Sequence, residues 1–270
     1  MTIRPSSLPR KGAQIVAPGR LALYGILTLF AAIFILPFVW QLGGSLKTPA
    51  ELATGSFSLF PAVPQWENYA EVFRRAPIAT WFANSVVIAV LGTLGATLTS
   101  AFCAYGFAVL RARGSRLAFG MVLLTILVPY QVLIIPEYIV WAKLGLTNTP
   151  IPLVLPWFLG GGAFNIFLLR QFMLGLPRDM VDAARVDGAS EFQIFRRVIL
   201  PMCGPALAVV AVFHFIFMWN DFLRPLLYLQ DPSATTLPVG LAGFVTRFAR
   251  QWHLLLAGSA IALEIGRAHV

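Results

Sequence analysis

His214 lies about ten residues into an apolar run that starts at Pro205, and Asp221 and Arg224 follow near the far end of that run. An ionisable side chain inside an apolar helix is expensive unless it meets a polar partner or a wet path, so these residues mark a candidate route for a polar solute. The same imidazole, flanked by Phe213 and Phe215, could instead hydrogen-bond a neighbouring helix. Asn220, Asp221 and Arg224 either line the outer mouth of such a route or pair locally where water remains. Covalent chemistry finds no machinery. The histidines at 214, 253 and 269 lack metal-ligand spacing, and Cys103 and Cys203 read as small buried hydrophobes. Gly43-Gly44-Ser45-Leu46-Lys47-Thr48 has the look of a phosphate loop but lacks the glycine directly before the lysine.

Residues 174–204 (LGLPRDMVDAARVDGASEFQIFRRVILPMCG) form a long polar stretch with the marks of a helix pair. Pro177 is placed to open a short helix whose positive end Asp179 and Asp182 favour. Gly188 can take the left-handed conformation that ends it. Ser190 then caps a second helix, with Gln193 three residues on completing a capping box. Phe192, Phe195, Val198 and Ile199 repeat at helical spacing as an apolar ridge, and Pro201 and Pro205 end the helix. Such an L-shaped pair either docks to a partner or lies on the lipid surface as amphipathic helices.

The elements that must hold these residues are membrane spans. The 270 residues are 58% hydrophobic and 11% charged, whereas a soluble domain has about 25% charged residues. The apolar residues cluster in uncharged runs of roughly 20, the length that crosses a bilayer core. The spans are expected at about 21–44, 81–109, 117–141, 151–173 and 205–229, with a sixth beginning near Leu254 and stopping short. The fold class is therefore an all-α polytopic transmembrane bundle. The first run is too long for a cleaved signal peptide and reads as a retained helix. Gly92, Ala96, Ser100, Ala104 and Ala108 form a small-residue stripe that lets another backbone approach closely. Pro129, Pro136, Pro156 and Gly160-Gly161-Gly162 predict kinked or interrupted third and fourth spans, which suits a bundle lining a cavity. Tryptophans at 40, 81, 141, 157, 219 and 252 fall mostly near span ends, as interface anchors do, and 66–75 is expected to be a short interfacial helix.

The net charge of +9 sits between the apolar runs, where it sets topology and meets anionic lipid rather than nucleic acid. Residues 1–20 carry Arg4, Arg10, Lys11 and Arg20 without an acid, and Arg111, Arg113 and Arg116 follow the second span. Positive-inside logic therefore makes the N-terminus and 174–204 cytoplasmic, with 44–80 outside. Residues 1–20 read as a cytoplasmic arm and 21–270 as one transmembrane domain carrying the loop 174–204.

Asp182-Ala183-Ala184, then Gly188-Ala189-Ser190, Phe195 and Ile199-Leu200-Pro201, resemble the EAA motif of binding-protein-dependent ABC importer permeases, with Asp182 in place of the usual Glu. Further stretches resemble the carbohydrate, maltose-permease-like branch: Asn84-Ser85, Ala104-Tyr105, Ile135-Pro136, Gly145 to Thr149, Phe167 to Phe172 and Phe217 to Phe222. The similarity covers about residues 20–260. It implies that Asp182, Ala183, Ala184, Asp187, Gly188, Ala189 and Phe195, closed by Pro201, make or shape a coupling helix seated in a groove of a separate ATPase subunit. It implies as well a second permease subunit, an extracytoplasmic solute-binding protein and the bacterial inner membrane. ATP and Mg would be bound by the partner, with no cofactor or catalytic residue in this chain. The function implied is import of sugars or related solutes by alternating access, with His214, Asn220 and Asp221 on the substrate path.

An ion-coupled secondary transporter is the alternative, but the first two spans contain no ionisable residue and the fourth only Arg170 at its inner end. A membrane enzyme is disfavoured for want of clustered nucleophiles and bases. The permease family ends in a full sixth span, whereas Leu254–Leu263 is only ten apolar residues, about 15 Å of helix where roughly 30 Å is needed. The last seven residues, Glu264 to Val270, do not resemble the family and can be encoded by a stretch that reads like sequencing adapter. The natural frame is expected to continue apolar beyond about Leu263.

Overall fold

The computed structural model describes residues 18–55, 58–110, 113–245 and 250–267. Arg4, Arg10, Lys11, Arg111 and residues 268–270 lie outside the described residues. No strand occurs among the described residues beyond one isolated bridge, Val245 to Arg250.

The first span is α1 (Pro18–Ser45). After it come α2 (Pro49–Ala53), opened by a Thr48–Glu51 capping box, and α3 (Glu67–Arg75), a short helix where one was expected. The second span, α4 (Ile78–Tyr105), continues through a π-helical turn at Gly106–Leu110. The third region is broken: α5 (Ser115–Leu124) and α6 (Tyr130–Lys143) meet at 97°. Pro129 stands at the corner, where its missing N–H and the restriction on Val128 favour a break. The fourth pairs α7 (Ile151–Gly160) with α8 (Ala163–Leu174), interrupted where Gly161 and Gly162 have φ of +64° and +93°.

The loop 174–204 is α9 (Arg178–Val186), α10 (Glu191–Ile194), a π-helical turn at Phe195–Ile199 and α11 (Leu200–Met202). It turns through 78° into α12 (Gly204–Trp219). Three short or medium helices complete the chain: α13 (Leu223–Tyr228), α14 (Leu237–Ala242) and α15 (Trp252–Arg267). Among the described residues three helical stretches, Ala22–Ser45, Ile78–Leu110 and Ile151–Leu174, are long and apolar enough to cross a membrane, or up to five if each bent pair is one span.

The bundle is organised around α4, which packs on α7, α8 and α12. Its small-residue stripe is buried throughout, from Gly92 to Ala108. Side-chain size explains the approach. A Cβ on Gly92 would come 2.5 Å from Met218 and one on Gly95 would come 2.5 Å from Phe158. Polar ties at the same seam satisfy carbonyls freed by the α7–α8 break: Ser100 Oγ donates to Gly161 O at 2.8 Å and Thr99 Oγ1 to Phe158 O at 3.1 Å. By contrast α1 leans on α15 and leaves Leu27, Phe30, Phe34 and Phe38 exposed. Lys47, within the segment 44–80, is buried and donates to Ser58 O at 2.6 Å. One expectation changes. Trp81 is no free interface anchor, because its indole N–H is used on Pro232 O at 2.8 Å.

Candidate functional site

Two sites matter, one in the loop 174–204 and one at the α7–α8 break. In the loop, Gly188 has φ +78° and separates α9 from α10, as its place between two capped helices requires. Ser190 Oγ accepts from Gln193 N while the Gln193 side-chain Oε1 accepts from Ser190 N at 2.8 Å, the reciprocal cap expected. Asp182, Ala183, Asp187 and Gly188 are exposed, Ala184 and Ala189 are half-buried, and Val186 is 88% exposed.

The apolar ridge does not point outward as a whole. Phe192 is exposed, but Phe195 and Ile199 are buried in the core with Ile194. Phe195 stacks on Phe102 at 4.5 Å and meets Tyr105 edge-on at 5.2 Å. A helix next to a bundle gains more by burying its aromatic stripe there than by showing it to water. Phe195 therefore anchors the loop to α4 and shapes the exposed surface from behind; Pro201 is exposed at the start of α11.

A polar network joins the same parts. Tyr105 Oη donates to the Glu191 carboxylate at 2.5 Å, Arg185 Nε donates to it at 2.9 Å, and Arg185 also pairs with Asp182 at 3.2 Å. Arg185 first, then Tyr105, hold the Glu191 carboxyl below the usual carboxylate range. The last turn of a span is thus tied by hydrogen bonds and stacked rings to the helix pair that projects from it. Sequence reasoning missed Tyr105, Arg185 and Glu191 as members of this site, since partners 86 residues apart leave no local pattern.

At the α7–α8 break, His214 is 5% exposed and its Nδ1 faces Asn165 Nδ2 at 3.2 Å. Asn165 Nδ2 also donates to Gly161 O at 3.0 Å, filling the carbonyl exposed by the break. Trp157 crosses the imidazole edge-on at 4.4 Å, and Phe217 lies 5.7 Å from both rings. Trp157 is therefore no interface anchor but a wall of the bundle interior. The Arg224 guanidinium lies over Tyr130 at 4.3 Å and over Trp157 at 5.1 Å, and pairs with Asp221 at 3.9 Å. His214 and Asp221–Arg224 are thus joined through shared aromatic rings. Asn220 is not part of that cluster. Its amide donates to Ile216 O on its own helix at 2.8 Å, and it lines a separate cavity with Pro37, Trp219 and Ser259. Among the described residues no group of histidines, cysteines or carboxylates could hold a metal ion.

A helical bundle with broken spans, a buried polar seam and a helix pair tied to one span's end is the architecture of a membrane transport subunit. The profile of the family described as binding-protein-dependent transport system inner membrane component matches residues 96–265, and the chain belongs to that family. Among its relatives is the arabinooligosaccharides transport system permease protein AraQ of Halalkalibacterium halodurans. It is 34% identical over 236 residues, covering 86% of this chain and 84% of that one. The lactose transport system permease protein LacG of Rhizobium radiobacter is 31% identical, covering 88% and 86%. A chain from the crystal structure of a bacterial ABC transporter involved in import of the acidic polysaccharide alginate has the same fold. It superposes with a TM-score of 0.79 at 21% identity, covering 97% of this chain and 96% of that one. The chain is a permease subunit of an ABC importer, and no finding favours an ion-coupled carrier.

Proposed function

We propose that this permease passes sugars or sugar oligomers into the cytoplasm, driven by a separate ATPase that docks on the loop 174–204. The observation that carries the reading is the loop itself. An exposed elbow at Val186–Gly188 is set by one left-handed glycine and held from behind by Phe195 and the Tyr105–Glu191–Arg185 network. That build gives a rigid lever on the end of α4, so a push on the loop would reach the bundle rather than be absorbed. Asp182, Ala183, Ala184, Asp187, Gly188 and Ala189 would form or flank the contact. The sugar class is supported by what AraQ and LacG are named for. The chain would work as one of two permease halves, fed by a solute-binding protein, with its N-terminus and the loop on the cytoplasmic side.

The test has two arms. The permease is purified with its candidate ATPase, and a single cysteine placed at position 190 is labelled with an impermeant thiol reagent. Co-purification, with labelling only in inside-out vesicles, is expected. Labelling of position 190 on intact cells would reverse the orientation and sink the docking.

A further inference from the structure

We propose that Arg170, held over Phe119 where α8 meets α5, seats the phosphate of an anionic phospholipid, with Arg113 and Arg116 flanking the headgroup.

Arg170 stands one turn before the end of α8, inside the apolar stretch Ile151–Leu174. A guanidinium in such a span needs an anion or hydrogen-bond acceptors. Among the described residues it has neither: no carboxylate pairs with it, and its charge meets the Phe119 ring, whose centre lies 4.1 Å from Cζ. Its Nε is buried and out of reach, whereas the two terminal nitrogens keep accessible surface on a partly exposed side chain. The fork therefore has an open end, and an oxyanion is what its geometry fits.

The surroundings make that anion a lipid rather than a free ion. Phe167 stacks 6.5 Å from the Phe119 ring and is itself exposed, as is Leu174 one turn beyond Arg170. On α5, Leu117 and Met121 are exposed as well. Arg170 thus interrupts an outward apolar face close to where the helices end, the level at which acyl chains give way to phosphate. Arg113 just precedes α5 and Arg116 lies in its first turn; both are exposed, and neither pairs with a carboxylate among the described residues. Arg116 comes three positions before Phe119, so the two share a face of α5. Three cations without a paired acid favour an anionic headgroup over a zwitterionic one.

The complete transporter, with its ATPase and second permease, is purified in detergent and given dioleoyl phosphatidylglycerol or dioleoyl phosphatidylcholine. Native mass spectrometry counts the lipids retained per complex as lipid is titrated in. Wild type is expected to hold phosphatidylglycerol tenfold or more tightly than phosphatidylcholine, from about fivefold per basic residue. Arg170→Gln should weaken retention of phosphatidylglycerol roughly tenfold, the worth of one charge-assisted hydrogen bond. Arg170→Lys, which keeps a point charge but loses the fork, should stay within about fivefold of wild type. Arg116→Gln should cost about fivefold. Equal retention of the two lipids by wild type, or of phosphatidylglycerol by wild type and Arg170→Gln, would overturn the site. Displacement of the lipid by inorganic phosphate alone would also overturn it, since the anion would then need no acyl chains. So would loss of the second permease from the Arg170→Gln complex, because the counter-ion would then belong to a partner helix. If Arg170→Gln cannot be recovered, Phe119→Leu and Arg116→Gln decide, and unchanged retention in both overturns the proposal.

Discussion

Gly188 in the loop 174–204 and Gly161 at the α7–α8 break both hold positive φ, +78° and +64°, but different things forbid a side chain at each. A Cβ on Gly188 would meet nothing within 4 Å. A Cβ on Gly161 would sit 2.6 Å from Ser100 Oγ and 2.7 Å from the Ser100 backbone nitrogen. The loop glycine is thus required by backbone conformation alone, and the bundle glycine by conformation together with the closeness of α4. The loop is a device built locally and held at its base. The break is a junction whose form exists only because another helix lies against it.

Gly161→Ala should therefore give the largest effect. The left-handed conformation costs a Cβ-bearing residue about 1–2 kcal/mol, and forcing it against a helix backbone adds about 1–3 kcal/mol. The expected outcome is a sharp fall in folded permease recovered from membranes. Gly161→Asn should fare no better, because asparagine tolerates the conformation but not the clash. Recovery at wild-type level with Gly161→Asn would erase the distinction between the two glycines.

Next in size is Gly188→Val, which should leave insertion and yield intact but release the ATPase in co-purification and cut uptake about tenfold or more. Gly188→Asn should keep most of both, because a left-handed asparagine is cheap where the space is open. Equal loss in the Val and Asn variants would mean that the site contacts a partner closely enough to exclude any side chain.

A smaller effect is expected at the joint between loop and span. Tyr105→Phe and Glu191→Gln should each weaken uptake modestly. The double variant should be less than additive, with a coupling of about 0.5–1.5 kcal/mol for one hydrogen bond. Glu191 lies outside the spans, and its carboxyl is held below the ordinary range by Arg185 and then Tyr105. A depressed carboxylate contributes its stabilisation above the unfolded value, about 4.3, and loses it as pH falls through the folded value. ATPase coupling should therefore be flat between pH 6 and 8, with the loss confined below about pH 4. A transition near neutral pH, absent in Glu191→Gln, would overturn the assignment of that carboxylate.

The same contrast explains what could be read from the residues alone. The loop's caps join Ser190 to Gln193 three positions away, and Gly188 has its conformational duty wherever it sits, so both are legible locally. The stripe on α4 was legible too, since small residues at every fourth position have few other uses in a span. The break's partners are 61 residues apart for Ser100 and Gly161 and 49 for Asn165 and His214, and no spacing rule reaches that far. Trp157 was misassigned for the same reason: a tryptophan in an apolar run looks like an interface anchor until a histidine from another helix is found against it. The ridge running from α10 through the Phe195–Ile199 turn has the helical period, but its direction depends on Phe102 and Tyr105 being there to receive it.

The smallest effect is expected at Asp182, where the sequence departs from the family's usual Glu. The Asp182–Arg185 pair is 3.2 Å long with the side chains 65% and 40% exposed, and such exposed pairs contribute about 0–1 kcal/mol. Arg185 is already engaged by Glu191 at 2.9 Å, so the loop keeps its main tie whatever stands at 182. Glu is the better helix former by a few tenths of a kcal/mol, and its longer arm still reaches a residue three positions on. Asp182→Glu should hold uptake and ATPase co-purification within about twofold, and stability within about 0.5 kcal/mol. Asp182→Lys is the informative companion, because it puts a cation beside Arg185 and reverses the charge offered at the elbow. If the carboxylate matters for docking, co-purification should fall in Asp182→Lys and survive in Asp182→Glu. If Asp182→Glu instead falls as far as Asp182→Lys, the partner's groove is shaped to the shorter side chain, and reach rather than charge decides the contact.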